Sequence, residues 1–234
     1  MSKFKGKTAI ISGGAEGIGL SVAKALGEQG MNIVLTDIDQ KNLEIASKGL
    51  EESGVPVLAE RLDVADEKQW QHVAKKASER FGKVHMVVNN AGVGGDSVSV
   101  DNQEKKGWQW TLDVNLMGVV YGAKTIVPLI KSHGEGGWIV NVASMAGMGG
   151  FLHGGAYNAT KAAVVALSES WAEELTSQNI NVSVLCPAFV KTRIYDSERN
   201  RPKEYKSEIS GSEGSNSFRK KTKKMIDNGI EVSI

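Results

Sequence analysis

Thr8-Ala9-Ile10-Ile11-Ser12-Gly13-Gly14-Ala15-Glu16-Gly17-Ile18-Gly19 is the stretch whose reading decides the fold. Its first five residues form a short, nearly continuous apolar run, which suits a parallel strand covered on both faces. A helical pattern begins at once after the glycines. A strand, a glycine turn and a helix start together make an anion site, because the helix N-terminus presents unpaired N–H groups and the positive end of its dipole. Glycine suits such a turn, since a Cβ there blocks either a pyrophosphate or the contact between helix and strand. The spacing is G-x-x-x-G-x-G rather than the commoner G-x-G-x-x-G, and a glycine loop can also be a plain turn. The surroundings have to decide.

Outward from this stretch, short β-branched runs alternate with longer amphipathic ones. Strands are expected at 8–12, 32–37, 57–62, 85–89, 138–143 and 181–186, and helices near 17–29, 40–53, 66–81, 105–131 and 156–178. The βαβαβ rhythm implies right-handed crossovers and a parallel sheet with helices on both sides. The expected fold is therefore a three-layer, doubly wound (Rossmann-like) α/β domain spanning 1–234. Helix 156–178 carries Ala156, Ala159, Ala162, Ala163, Val164, Val165, Ala166, Leu167, Trp171 and Leu175, so its first turns have little polar face. A helix apolar nearly all round is buried nearly all round. Its second cover is either another helix of the chain or a second subunit. After Ile194 the composition turns to Ser, Glu, Asn, Lys and Arg, which reads as a lid over 190–230. The basic run 219–224 reads as a solvated helix face or lid edge.

Composition removes several function classes. The chain has 234 residues with 28 Lys+Arg against 27 Asp+Glu, a formal net charge of +1. That balance argues against gripping nucleic acid or an anionic membrane by bulk charge. The single cysteine, Cys186, excludes an internal disulfide framework and a cysteine-rich zinc site. No apolar run approaches the roughly 20 residues of a membrane span. The basic start has only Ala9-Ile10-Ile11 as its apolar part, too short for a secretory signal, so a cytoplasmic protein is expected.

Asp37 ends the second strand, 20 residues after Gly17. A carboxylate there accepts hydrogen bonds from both adenosine ribose hydroxyls and repels a 2′-phosphate. Glu16, inside the glycine loop, adds charge of the same sign, and no Arg or Lys stands at either place. Two like charges facing a dianion in a half-buried crevice favour NAD over NADP by more than about 1 kcal/mol. Asp37 or Asp39 could otherwise be the N-cap of the next helix.

Further motifs follow the strands in order. Asp63-Val64 comes after the third, Asn89-Asn90-Ala91-Gly92 after the fourth and Ser144 after the fifth. Asn115 lies in the long helix. Tyr157-x-x-x-Lys161 and Pro187-Ala188-Phe189-Val190-Lys191-Thr192 complete the set. Over about residues 5 to 194 the chain resembles the short-chain dehydrogenase/reductase family. Each motif is modest alone; seven in the right order at the right strand ends are specific.

The residues also carry a chemistry of their own. Tyr157 and Lys161, at i and i+4, share one helix face about 6 Å apart. A phenol titrates near ~10, and a neighbouring ammonium stabilises the phenolate. Lowering it to ~7 takes about 4 kcal/mol, so the positive nicotinamide ring is expected to help. Tyr157 then acts as general base for alcohol oxidation or general acid for carbonyl reduction.

The resemblance implies further roles. Ser144 hydrogen-bonds the substrate oxygen, Lys161 also binds the nicotinamide ribose, and Asn115 holds a water that links Lys161 to solvent. Gly13, Gly17, Ile18 and Gly19 form the cofactor loop. Asp63 binds the adenine amino group, Val64 its ring edge, and Asn90 lines the cleft. Val190 and Thr192 fix the carboxamide. It also implies a homo-oligomer, a tetramer or dimer, built through helices 105–131 and 156–178, and a seventh strand that is expected to be absent from the sequence shown. Residues 225–234 look like an approach to a further helix. Ser12 and Ala188 depart from the family's threonine and glycine.

Other residues carry less. His72, His85 and His133 lie far apart with no ligand spacing, so no metal is expected. His153, four residues before Tyr157, is a candidate substrate contact. Met145, Met148 and Phe151 form an apolar wall or core, Trp108 and Trp110 pack the start of the long helix, and Cys186 is inert. The function expected is NAD-dependent hydride transfer to or from a secondary alcohol or ketone. The alternatives are an NADP-dependent carbonyl reductase and a non-catalytic dinucleotide-binding sensor or scaffold. Substrate walls are expected from 94–98, 145–153 and the lid, whose polarity hints at a small or polar substrate.

Overall fold

A computed structural model describes residues 2–206, 220, 223–225 and 227–228. Six strands run as β1 (Thr8–Ser12), β2 (Asn32–Asp37), β3 (Val57–Arg61), β4 (Met86–Asn89), β5 (Gly137–Val142) and β6 (Ile180–Leu185). They form one sheet in the order β3-β2-β1-β4-β5-β6, parallel throughout. Ile10 pairs in register with Val34 on one side and Val87 on the other. Neighbouring residues of β1 point to opposite faces, so each belongs to a different core. Ile10 packs with Val34, Trp70, Val87 and Ile126, whereas Ile11 packs with Ile33, Leu35, Leu43 and Val88. This is the expected doubly wound α/β fold. The strand order reverses between β1 and β4, so the crevice outside their carboxyl ends is where ligands bind in such sheets.

The helices are α1 (Gly17–Glu28), α2 (Gln40–Glu52), α3 (Glu67–Phe81), α4 (Lys105–Leu112), α5 (Gly118–His133) and α6 (Gly155–Thr176). The long helix expected near 105–131 is there, but a π turn, Asp113–Met117, separates α4 from α5. From Lys105 to His133 this helical run is long and apolar enough to cross a membrane by length and composition, contrary to the reading of the sequence. Part of that run is buried in this chain: Val119, Ala123, Ile126 and Ile130 pack inward, while Val120, Val127 and Leu129 are only half-buried. On α6, Ala156, Thr160, Val164 and Ser168 are buried, while Ala159, Ala162 and Ala166 stay exposed in the single chain.

The histidines correct a second expectation. At the amino ends of the strands, opposite the crevice, His85 and His133 lie 4.7 Å apart between ring centroids and share Glu135. His85 Nδ1 accepts from the Thr8 N–H at 3.2 Å, and its Nε2 faces Glu135 Oε2 at 3.1 Å. His133 Nδ1 accepts from the Glu135 N–H at 3.1 Å, and its Nε2 donates to Val84 O at 2.9 Å. All four ring nitrogens thus have protein partners.

Of the expected lid, Ile194–Asn200 and Lys203–Tyr205 form short 3₁₀ segments. Residues 207–219 lie outside the described residues, as do parts of 219–224 and of 225–234. In the basic run, Lys223 pairs with Asp227 and sits 5.7 Å from the Tyr195 ring centroid, as a lid edge would.

Candidate active site

The glycine turn is built for close approach. Gly13 has φ +60°, and a Cβ on it would stand 2.8 Å from Ala91 Cα. Gly17 has φ +54°, and a Cβ there would stand 2.9 Å from Thr192 Cγ2. Ser12 Oγ accepts from the N–H groups of Asn90 and Ala91 at 3.0 and 3.2 Å. Asn90 Nδ2 donates to the carbonyls of Ser12 and Gly13 at 2.9 and 2.8 Å. Serine thus ties the turn to the β4 loop, as its hydroxyl allows. Ile18 and Gly19 follow in the first turn of α1, whose N-cap residue Glu16 makes no side-chain cap bond. The helix start therefore keeps its N–H groups for a ligand.

Asp37 sits at the end of β2 with both oxygens on backbone donors, Ala15 N–H at 3.2 Å and Asp39 N–H at 3.0 Å. Burial raises its pKa, against these bonds, and the Glu16 and Asp39 charges add to the rise. Asp39, not Asp37, caps α2, accepting from the Asn42 N–H at 3.1 Å. Asp63 Oδ1 accepts from the Ala65 N–H at 3.0 Å beside the buried Val64. Asp37, Asp63, Val64, Asn90, Val190 and Thr192 all line one cleft of about 320 Å³, together with Gly13 and Gly17.

The other end of that cleft holds Ser144, Tyr157 and Lys161. Ser144 follows β5 and accepts from the Ala146 N–H at 3.1 Å. The Ser144 hydroxyl lies beside the Tyr157 phenol and favours its ionised form. Lys161 is buried, donates to Val142 O at 2.8 Å, and lies 5.8 Å from the Tyr157 ring centroid. Burial pushes Lys161 down to about 8, with the nearby Cys186 opposing. The same burial pushes the Tyr157 phenol up, and the Ser144 hydroxyl only partly offsets it. Burial therefore sets the direction at Tyr157, opposite to the lowering expected once a charged Lys161 and a nicotinamide ring act together.

Asn115 lies in the π turn and is fully buried. Its Oδ1 accepts from the Val93 N–H at 2.8 Å, and its Nδ2 donates to Val93 O at 2.9 Å and Thr160 Oγ1 at 3.4 Å. It stitches the β4 loop to α6. A Cβ on Gly92 would lie 3.3 Å from Asn115 Oδ1 and 3.4 Å from Lys161 Nζ, so both side chains flank one backbone position. Ala188 is not among the residues with positive φ, so its methyl costs no backbone strain. Phe151 lines the cleft, tilted 51° to the Tyr157 ring at 5.9 Å. His153, Met145 and Met148 do not line it, and the two methionines are largely exposed.

Sequence reasoning missed the ties that hold the 193–205 segment against this cleft. Glu16 Oε1 accepts from Asn42 Nδ2 at 2.9 Å, Arg199 Nη2 at 3.2 Å and Arg193 Nη1 at 3.4 Å. Arg201, its side chain fully buried, pairs with Asp96 at 2.6 Å and Glu198 at 2.8 Å and stacks 4.7 Å from the Trp110 ring centroid. Tyr205 donates to Asp113 Oδ2 at 2.9 Å. These partners lie up to 183 residues apart, and a charged, glycine-poor stretch reads as solvent-facing. Only the charge alternation itself could have hinted at them.

The arrangement accommodates a dinucleotide: a positive-φ glycine turn packed too closely on Ala91 and Thr192 for any Cβ, a helix start with no side-chain cap, and a carboxylate at the end of β2. Comparison with known proteins agrees. The short chain dehydrogenase family profile matches residues 7–203. A cyclohexanol dehydrogenase of Acinetobacter sp. is 36% identical over 194 residues, 82% of this chain and 76% of that one. An NADP-dependent (R)-specific alcohol dehydrogenase of Lentilactobacillus kefiri is 36% identical over 196 residues, 83% of this chain and 77% of that one. The crystal structure of a short chain dehydrogenase/reductase from Burkholderia phymatum in complex with NAD superposes with a TM-score of 0.93 at 36% identity, covering 98% of this chain and 82% of that one. The chain belongs to the short-chain dehydrogenase/reductase family, oxidoreductases that use a nucleotide cofactor.

Proposed function

We propose that this protein is an NAD-dependent oxidoreductase acting on a secondary alcohol or its ketone, with Tyr157 as general acid and base. The observation that carries the reading is the convergence of Ser144, Tyr157 and Lys161 on the cleft that the glycine loop also lines, with Lys161 Nζ 5.8 Å from the Tyr157 ring centroid. When bound, the nicotinamide supplies the hydride chemistry. Gly13, Gly17, Ile18 and Gly19 hold the pyrophosphate, and Asp37 takes the adenosine ribose hydroxyls. Asp63 and Val64 take the adenine, Asn90 lines the cleft, Lys161 takes the second ribose, and Val190 and Thr192 take the carboxamide.

Burial keeps the Tyr157 phenol protonated. It therefore enters carbonyl reduction ready to give its proton to the substrate oxygen, which Ser144 orients. In alcohol oxidation the phenolate must form, and a charged Lys161 then stabilises it. Lys161 and Asn115 return the proton to solvent. Tyr157→Phe should leave NADH binding within threefold and lower turnover by about 10³-fold or more, within the range of a lost acid–base group. Unchanged turnover removes Tyr157 from the mechanism.

One observation favours an NADP-dependent variant. Arg193 and Arg199 stand beside Glu16, where the sequence shows only negative charge, and the Lentilactobacillus relative is named as NADP-dependent. Asp37 still opposes a 2′-phosphate, and the two guanidiniums already share one carboxylate, so NAD remains our reading. Dissociation constants for NADH and NADPH decide it; tighter NADPH binding by the wild type overturns the choice. We further propose a homo-oligomer through α5 and α6, on the exposed Ala159, Ala162 and Ala166. Light scattering at micromolar concentration tests it.

A further inference from the structure

We infer that the substrate is uncharged and apolar around its reacting carbon: a secondary alcohol or ketone with an aryl or alicyclic body and no carboxylate or phosphate. This rests on the proposed function and adds the substrate class to it.

The first support is the state of the charges that the described residues bring to the cleft. Lys161 is buried and donates to Val142 O. Arg193 and Arg199 face Glu16. Arg201 is held beneath Trp110 by Asp96 and Glu198. Among the described residues that line or back the cleft, each cationic side chain thus already faces a carboxylate or a carbonyl. Asp37 and Asp63 are turned to backbone N–H groups. Among the described residues, a substrate carboxylate entering this space would lose its water shell and meet only cations that already have partners, an arrangement proteins avoid. The polar composition of the lid segment therefore does not mean a polar site, because its arginines and acids are consumed by one another.

The second support is the apolar surface beside the reacting oxygen. Phe151 and Phe189 line the cleft yet remain 42% and 51% exposed. Phe151 stands 5.9 Å from the Tyr157 ring, so a group attached to the reacting carbon passes over it. An apolar ring there removes both faces from water and gains ring–ring contact.

The test uses a matched pair. With NAD⁺ or NADP⁺, 1-phenylethanol should show kcat/KM at least 100-fold above 4-(1-hydroxyethyl)benzoate, with the difference mainly in KM. A second readout needs no turnover: calorimetry of acetophenone against 4-acetylbenzoate on the NADH complex should show at least 30-fold tighter binding of the neutral ketone. Phe151→Ala should raise KM for 1-phenylethanol about tenfold with kcat within threefold, and Phe151→Leu should restore most of it. Binding of the carboxylate congener within threefold of the neutral one, or binding of neither, overturns the inference. Full activity of Tyr157→Phe, or failure to bind either dinucleotide, instead overturns the proposed function.

Discussion

The two banks of the cleft are held by different physics. The cofactor bank, Gly13–Gly19 with Asp37, Asp63 and Asn90, is set by backbone. Its polar side chains are short, they sit at strand ends, and they bond to N–H and carbonyl groups of neighbouring turns. The opposite bank is set by long side chains of the 193–205 segment, which reach Asp96 in the β4 loop, Asp113 in the π turn and, across the cleft, Glu16. A backbone-set bank needs particular residue types at particular offsets. A charge-set bank needs only that opposite charges meet after folding.

The largest expected effect is at Asp96–Arg201. Both side chains are buried, at 8% and 0% exposure. Removing one partner of a buried pair leaves an uncompensated charge and costs about 3–5 kcal/mol. Asp96→Ala should lower unfolding stability by that order, less whatever Glu198 recovers, read from urea or guanidinium midpoints. The triple variant Asp96→Leu, Glu198→Gln and Arg201→Met should be milder than Asp96→Ala, because removing a buried charge cluster together is often near neutral. Equal losses for the single and triple variants would mean that packing on Trp110, rather than charge, holds this bank.

Gly13→Ala breaks the other bank. A side chain at φ +60° costs about 1–2 kcal/mol, and its methyl must push on Ala91. NADH affinity should fall at least tenfold, measured by fluorescence titration. A loss of stability with intact NADH affinity would show the loop to be a plain turn.

This contrast also explains what the sequence discloses. The strand ends, the glycine loop, Asp37, Asn90, Ser144 and the Tyr157/Lys161 spacing are legible because local pattern and residue type carry them. The π turn at Asp113–Met117 is not, because apolar periodicity runs through it with little change. The choice of Asp39 over Asp37 as cap is a matter of one turn's geometry. His85 and His133 meet only because β4 and the end of α5 converge. Arg201 reads as solvated, since its burial depends on a partner 105 residues away.

The histidine cluster gives a pH handle on the end of the sheet remote from both banks. Burial, opposed by the Glu135 hydrogen bond, lowers the His85 pKa below 6.5. The unfolded chain then binds more protons than the folded one between that depressed value and about 6.5, so stability rises with pH across this window. The contribution is complete above about 6.5 and is lost as pH falls below it. Glu135, held down at about 2 chiefly by Lys83 and then by His85, weakens the fold only at more acid pH, from 4.5 downward. Thermal midpoints between pH 7.5 and 5 should decline in the wild type and flatten in His85→Gln. An equal decline in both would remove His85 as the cause.

The smallest expected effect tests the comparison within the charge-set bank itself. Glu16 anchors Arg193 and Arg199, but these side chains are 27%, 46% and 25% exposed. Ion pairs in such contact with water contribute between zero and about 1 kcal/mol. Glu16→Gln should therefore move global stability by less than about 1 kcal/mol, and most of that difference should vanish in 0.5 M salt, where screening is short-ranged. Local opening is a more sensitive readout, because a segment can detach without global unfolding. Limited proteolysis within 193–205 should quicken in Glu16→Gln and quicken further in Asp96→Ala. If the order reverses, the exposed end at Glu16 holds the segment and the buried pair only packs beneath it. The charge-set bank would then be anchored at its border with the cofactor loop, and the two banks would act as one unit.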